Sequence, residues 1–152
     1  MADYVFRRAT SSDRDVLDEM TLAGVRHWGH DVAHPEAYAG LETRLAVDDD
    51  PADHRVLVWE DDEGIAGFVD LRDRGDHVEL LRMFLRTELI GHGHGRVLWE
   101  RAVSEAARMA DRMLIVSDPE ATGFYEAMGA RAERTIEPVA DFTLTVLWYD
   151  LS

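Results

Sequence analysis

The chain contains no cysteine and no lysine. Without cysteine there are no disulfides, no thiolate metal ligands and no thiol nucleophile. Without lysine there is no Schiff-base chemistry and no phosphate loop of the Gly-Lys-Ser/Thr type. No apolar run approaches the roughly 20 residues that a membrane-spanning helix needs, so no membrane partner is expected. The start, Met1 to Arg8, lacks a basic stretch followed by an apolar one, which leaves a cytoplasmic location as the default.

What is present is acid. Thirty-one Asp and Glu stand against sixteen Arg, a net charge of −15 in 152 residues. A field of that sign repels nucleic acid and anionic lipid, so neither is an expected partner. Runs such as Asp48-Asp49-Asp50 and Asp61-Asp62-Glu63 fit two accounts: the solvated loops of an ordinary acidic protein, or a surface adapted to high salt. Activity and refolding as a function of salt separate the two. The length suits one domain over residues 1–152, and 46 % apolar residues supply its core.

Hydrophobic periodicity gives the order β-α-α-β-β-β-α-β-α-β-β. Tyr4–Ala9 reads as a strand. A helix capped by Ser11 or Ser12 follows, with Val16, Leu17, Met20, Ala23 and Val25 on its apolar side. Pro35 suits the first turn of a second helix carrying Tyr38, Leu41 and Leu45. His54–Glu60 and Ile65–Leu71 flank a Glu63-Gly64 turn as a hairpin, and His77–Leu85 is a third, more continuously apolar strand. That continuity predicts burial on both faces. A helix then places Trp99, Ala102, Val103, Ala106 and Ala110 on one side. Met113–Val116 is a short strand, Pro119 opens a helix that Gly129 stops, and Arg131–Glu137 and Phe142–Leu151 are the last strands.

The sharpest chemical signal lies between strand and helix at Leu85 to Arg96, where Gly91, Gly93 and Gly95 alternate with His92 and His94. Such a loop turns successive N–H groups into one concavity, backed by the positive end of a helix dipole, and so suits phosphate oxygens. From Leu80 to Arg101 the charges sum to +2, against −17 for the rest of the chain. A dinucleotide fingerprint fails on spacing, since the position for its third glycine holds Arg96 or Leu98. His92 and His94 lack the further ligands of a metal site, and no metal is expected.

Val78 through Trp99 resembles the cofactor-binding segment of the GNAT superfamily of N-acetyltransferases, with Phe84-Leu85 at the strand end and Ile90-Gly91-His92-Gly93-His94-Gly95 as its loop. Ser117 through Ala130, with Phe124-Tyr125 followed by Met128-Gly129, resembles that family's second signature. The resemblance implies an α/β fold: a mixed central sheet of about seven strands, splayed between strands 4 and 5 and flanked by about four helices. It also implies acetyl-CoA as cofactor and transfer of its acetyl group to a primary amine of a small molecule or peptide. Met83, Phe84, Leu85, Ile90, Gly91, His92, Gly93, His94, Gly95, Arg96, Asp118 and Phe124 would then bind the cofactor. Main-chain groups of Phe84 and Leu85 would pair with its pantetheine arm.

By the same resemblance Tyr125 would protonate the departing thiolate, and Glu79 would act as general base; the alternatives are packing for Tyr125 and an ion pair with Arg82 for Glu79. Asp118 before Pro119 also fits a plain helix cap. Trp28, His30 and Tyr38, with the segment 138–142, would wall the acceptor pocket, and an acidic cleft would favour a cationic acceptor. The family often has Arg or Gln where this chain has Ile90, a loss that Arg86 or Arg96 would offset. A non-catalytic acyl-CoA sensor on the same fold is the alternative function, and the exposed final strands fit a homodimer.

Overall fold

The computed structural model describes residues 5–27, 54–139 and 142–152. Seven strands form one sheet: β1 (Val5–Arg8), β2 (His54–Asp61), β3 (Gly64–Asp73), β4 (Val78–Leu85), β5 (Arg112–Ser117), β6 (Arg131–Val139) and β7 (Phe142–Asp150). Their order across the sheet is β1-β2-β3-β4-β5-β7-β6. Every pairing among them is antiparallel except β4 with β5. Three α-helices flank the sheet among the described residues: α1 (Arg14–His27), α2 (His94–Ala106) and α3 (Pro119–Ala127). The helix expected from Pro35 lies outside the described residues.

Two apolar layers hold the sheet between the helices. On one side Leu57, Trp59, Val69, Leu71, Val78, Leu80, Met113 and Leu147 pack with Leu98, Trp99, Ala102 and Ala106 of α2 and Tyr125 of α3. On the other side Val56, Val58 and Phe68 pack with Leu17 and Met20 of α1. Full burial of a side chain such as Leu71 or Phe68 contributes about 1.5–3 kcal/mol.

The start of α1 differs from expectation. Thr10, not Ser11 or Ser12, caps a 3-10 turn, Ser11–Asp13, that leads into the helix. The Thr10 N–H donates to the Asp13 carboxylate at 2.8 Å, and Asp13 also receives Arg7 Nη1 and Nη2 at 2.8 and 2.9 Å. The buried stripe is Leu17, Met20, Thr21 and Gly24, while Val16 and Ala23 face outward. Thr21 qualifies because its hydroxyl donates to the Leu17 carbonyl at 2.9 Å, and Gly24 because the helix presses on Phe84 there.

Strand β4 also corrects the sequence. It is not buried on both faces: Val78, Leu80 and Arg82 are buried, and Glu79, Leu81, Met83 and Leu85 only partly so. Two features explain the pattern. The β3–β4 register slips between Asp70–Arg82 and Leu71–Leu80, making Leu81 a bulge that bends the strand. The β4–β5 ladder runs only from Val78–Met113 to Leu80–Ile115, although both strands continue. Beyond that point β5 has left, and the sheet is splayed between its fourth and fifth strands.

Candidate active site

The gap left by the splay is a cleft of about 820 Å³. Its walls come from β4, from Ile115 to Ser117 of β5, from the loop before α2 and from α3. Because β5 departs, the far half of β4 keeps a free main-chain edge inside a protein wall. The Arg86 N–H donates to the Ala66 carbonyl of β3 at 2.8 Å. Strand alternation then turns the peptide groups of Leu85 and Met83 the other way, into the gap. Phe84 points its own peptide groups at β3, so the main-chain groups turned to the gap are those of Met83 and Leu85, where Phe84 and Leu85 are expected from the sequence.

The same cleft receives the N-terminus of α2. Gly93 stands at the N-cap in the left-handed region, φ +85°, with Gly91 also left-handed at φ +86°, conformations that disfavour any residue with a Cβ. Among the described residues no side chain caps the helix, and the N–H groups of its first turn precede the intrahelical ladder. Ile90, Gly91, Gly93, Gly95 and Arg96 line the cleft at this point. His92 and His94 do not line it; the His94 ring lies 5.9 Å from that of Trp59, so these positions offer main-chain donors rather than imidazoles.

Of the arginines that made the segment around the loop basic, only part faces the cleft. Arg86 is taken up by Asp61 at 2.6 Å, Glu88 at 2.7 Å and Glu63 at 3.5 Å, and does not line it. Asp61, in return, is held below the usual carboxylate range by the Arg86 guanidinium. Arg101 lies over the Phe6 ring. The sequence-local sum of +2 is therefore mostly spent elsewhere in the fold, and Arg96 alone is left to offset Ile90. Among the described residues the lining is not predominantly acidic: Arg72, Arg74, Arg82 and Arg96 stand together with Glu79, Asp118 and Glu120.

Helix α3 brings Phe124 and Tyr125 to the same space. Tyr125 is 8 % exposed and packs its ring 5.7 Å from Trp99 and 5.4 Å from Phe124. Burial, with a smaller contribution from the Asp118 charge, pushes its hydroxyl well above the usual tyrosine range. It thus keeps its proton at all physiological pH. Asp118 stands at the N-cap of α3, but its carboxylate makes no capping hydrogen bond; the Asp118 carbonyl instead accepts from the Ala121 and Thr122 N–H groups. Glu79 lines the cleft and pairs with Arg74 at 2.9 Å, not with Arg82. Trp28, His30, Tyr38 and residues 140–141 lie outside the described residues.

Sequence reasoning missed Arg72, Arg74 and Leu81 on the β3–β4 side, and Ser117 and Leu144 opposite. Register alone brings the first three to the cleft, and no local pattern signals it.

An α/β protein whose sheet parts around a free strand edge, with an uncapped helix N-terminus at one end of the gap, defines a class. Such a gap suits an extended ligand with hydrogen-bonding groups along its length and an anionic end. The chain belongs to the GNAT acetyltransferase family: the family described as "Acetyltransferase (GNAT) domain" matches residues 16–137. Solved structures share the fold at low identity. The PaiA N-acetyltransferase from Thermoplasma acidophilum, in complex with coenzyme A, superposes with a TM-score of 0.79 at 15 % identity, covering 97 % of this chain and 99 % of that one. YncA, a putative acetyltransferase from Salmonella typhimurium with its cofactor acetyl-CoA, gives 0.67 at 18 %, covering 99 % and 95 %. The ribosomal-protein-S18-alanine N-acetyltransferase from Escherichia coli gives 0.73 at 12 %, with 99 % and 95 % covered. No curated protein sequence matches significantly.

Proposed function

We propose that this chain is an acetyl-CoA-dependent N-acetyltransferase whose acceptor is a primary amine of a small molecule or peptide. One observation carries the reading: the free edge of β4 and the uncapped N-terminus of α2 open into one cleft, with the Tyr125 ring in its wall.

These residues suit the cofactor. Main-chain N–H groups at the start of α2, with Arg96, would hold its phosphates, and the peptide groups of Met83 and Leu85 would pair with the amides of its arm. Acetyl-CoA, when bound, supplies an acetyl thioester whose carbon an amine nitrogen attacks while the thiolate leaves. The Leu85 N–H, fixed by the strand, is the donor suited to a carbonyl oxygen that gains negative charge; such a buried donor contributes about 3 kcal/mol, roughly a hundredfold in rate. Tyr125 holds a proton to give to a departing sulfur, because burial opposes its ionisation. Glu79, oriented by Arg74, would take the proton that the amine loses.

Two measurements test the reading. Calorimetry with coenzyme A must show binding, and a panel of primary amines must yield acetylated product. Tyr125→Phe should slow transfer by about a hundredfold with coenzyme A affinity unchanged. Binding without transfer to any amine would instead support the sensor reading, and unchanged turnover in Tyr125→Phe would remove Tyr125 from the acid role.

A further inference from the structure

Resting on that reading, the cleft also narrows the class of acceptor. At the end formed by β3 and the start of β4, Arg72, Arg74 and Arg82 line it, with Glu79 as the carboxylate among them. The Arg82 side chain is 1 % exposed. Its Nη1 lies 3.2 Å from Asp18 of α1, and its Nε 3.8 Å from Asp70 of β3. Asp70 is itself 2 % exposed and bonded to the buried His54 of β2. Neither Asp18 nor Asp70 lines the cleft, so the counter-charges stand behind the guanidinium and hold its planar fork in place.

Arg74 is engaged by Glu79. Arg72 is different. It sits in register between His54 of β2 and Glu79 of β4, half-buried, and among the described residues its side chain makes no hydrogen bond or ion pair. In a chain with a net charge of −15, a guanidinium without a carboxylate partner in the wall of a binding cleft is a recognition element in want of an anion. It also disfavours a polycation.

We propose that the acceptor amine also carries a carboxylate, as in an amino acid, and that Arg72 is its carboxylate-binding residue. Arg82 stands beside this subsite with its own charge engaged by Asp18 and Asp70. The amine end then lies toward Glu79, Arg72's register neighbour on β4.

The test compares matched acceptors with the full-length protein: phenylalanine with phenethylamine, alanine with ethylamine, and spermidine as a polycation. Each carboxylate-bearing member should be favoured by about tenfold or more in kcat/KM. Arg72→Gln should remove that preference through KM, and Arg72→Lys, which keeps the charge without the fork, should restore part of it. A second readout needs no turnover: N-acetylphenylalanine should bind calorimetrically more tightly than N-acetylphenethylamine, and Arg72→Gln should abolish the difference. Equal use of both members, a preference for spermidine, or a carboxylate preference that survives Arg72→Gln overturns the proposal. If coenzyme A fails to bind while the N-acetylphenylalanine preference stands and depends on Arg72, the transferase reading fails and the carboxylate subsite holds.

Discussion

Helix α1 meets the cleft strand at one point of close approach, and Gly24→Ala tests whether that contact sets the position of β4. A Cβ at residue 24 would fall 2.4 Å from Phe84 Cδ1 and 2.8 Å from Cε1. Carbon atoms pack best at about 3.5–4.0 Å, so ring or helix must retreat by about 1 Å. Beside the ring stands Phe68, its register partner on β3, with centroids 6.0 Å apart, and Phe68 is fully buried. Two effects therefore compete. Replacing a helical glycine by alanine gains about 1 kcal/mol of propensity, whereas overpacking of this kind costs about 1–3 kcal/mol. Overpacking outweighs propensity by up to about 2 kcal/mol, a fall in Tm of up to about 8 °C for a chain of this size. Thermal unfolding followed by circular dichroism reads it directly. In a Phe84→Ala background both clashing ring carbons are gone, and the same Gly24→Ala change should be neutral or stabilising. Phe84 lies between Met83 and Leu85, so the single variant should also weaken coenzyme A binding. A rise in Tm on Gly24→Ala in the unaltered protein would refute the packing argument.

Two further outcomes follow from the ion pairs. Asp13 is held below the usual carboxylate range, first by its hydrogen bonds from Arg7. A carboxylate lowered in the folded state adds stability above its unfolded value, near 3.8 for Asp13, and loses it as pH falls through the folded one. The Tm gap between the protein and Asp13→Asn should thus be widest near neutral pH and narrow as pH falls below 3.8; a gap constant with pH would contradict the pairing. Arg86→Ala should lower stability by about 1–2 kcal/mol through its bonds to Asp61, yet leave coenzyme A affinity unchanged. A loss of about tenfold in affinity would place Arg86 in the cleft after all.

Much of the molecule is local in origin and so legible in the residue order. Trp99, Ala102 and Ala106 recur at helical spacing and are buried. A turn joins β2 and β3 at Asp62–Glu63, one residue before the expected Glu63-Gly64, and Gly91 and Gly93 take left-handed backbone in the glycine-rich loop. Tyr125 and Phe124 reach the cleft together because both sit on the short helix that Pro119 opens. These features depend on neighbours within a few turns of chain.

Other features depend on partners far away in sequence. The Leu81 bulge and the end of the β4–β5 ladder at Leu80 decide that β4 has an open edge, and alternation from the Arg86–Ala66 bond decides that Met83 and Leu85 present it. The arginines near the loop read as one basic cluster along the chain. In space Arg86 turns to Asp61, Arg82 to Asp18 and Asp70, and Arg101 to Phe6. Residue order by itself settled the family, the order of the described elements and the glycine loop, since periodicity and turn chemistry act at short range. Only the tertiary structure decided which charges are spent on one another and which, like Arg72, are left facing the cleft, because a charge is neutralised by whatever stands within a few ångströms, however distant it is along the chain.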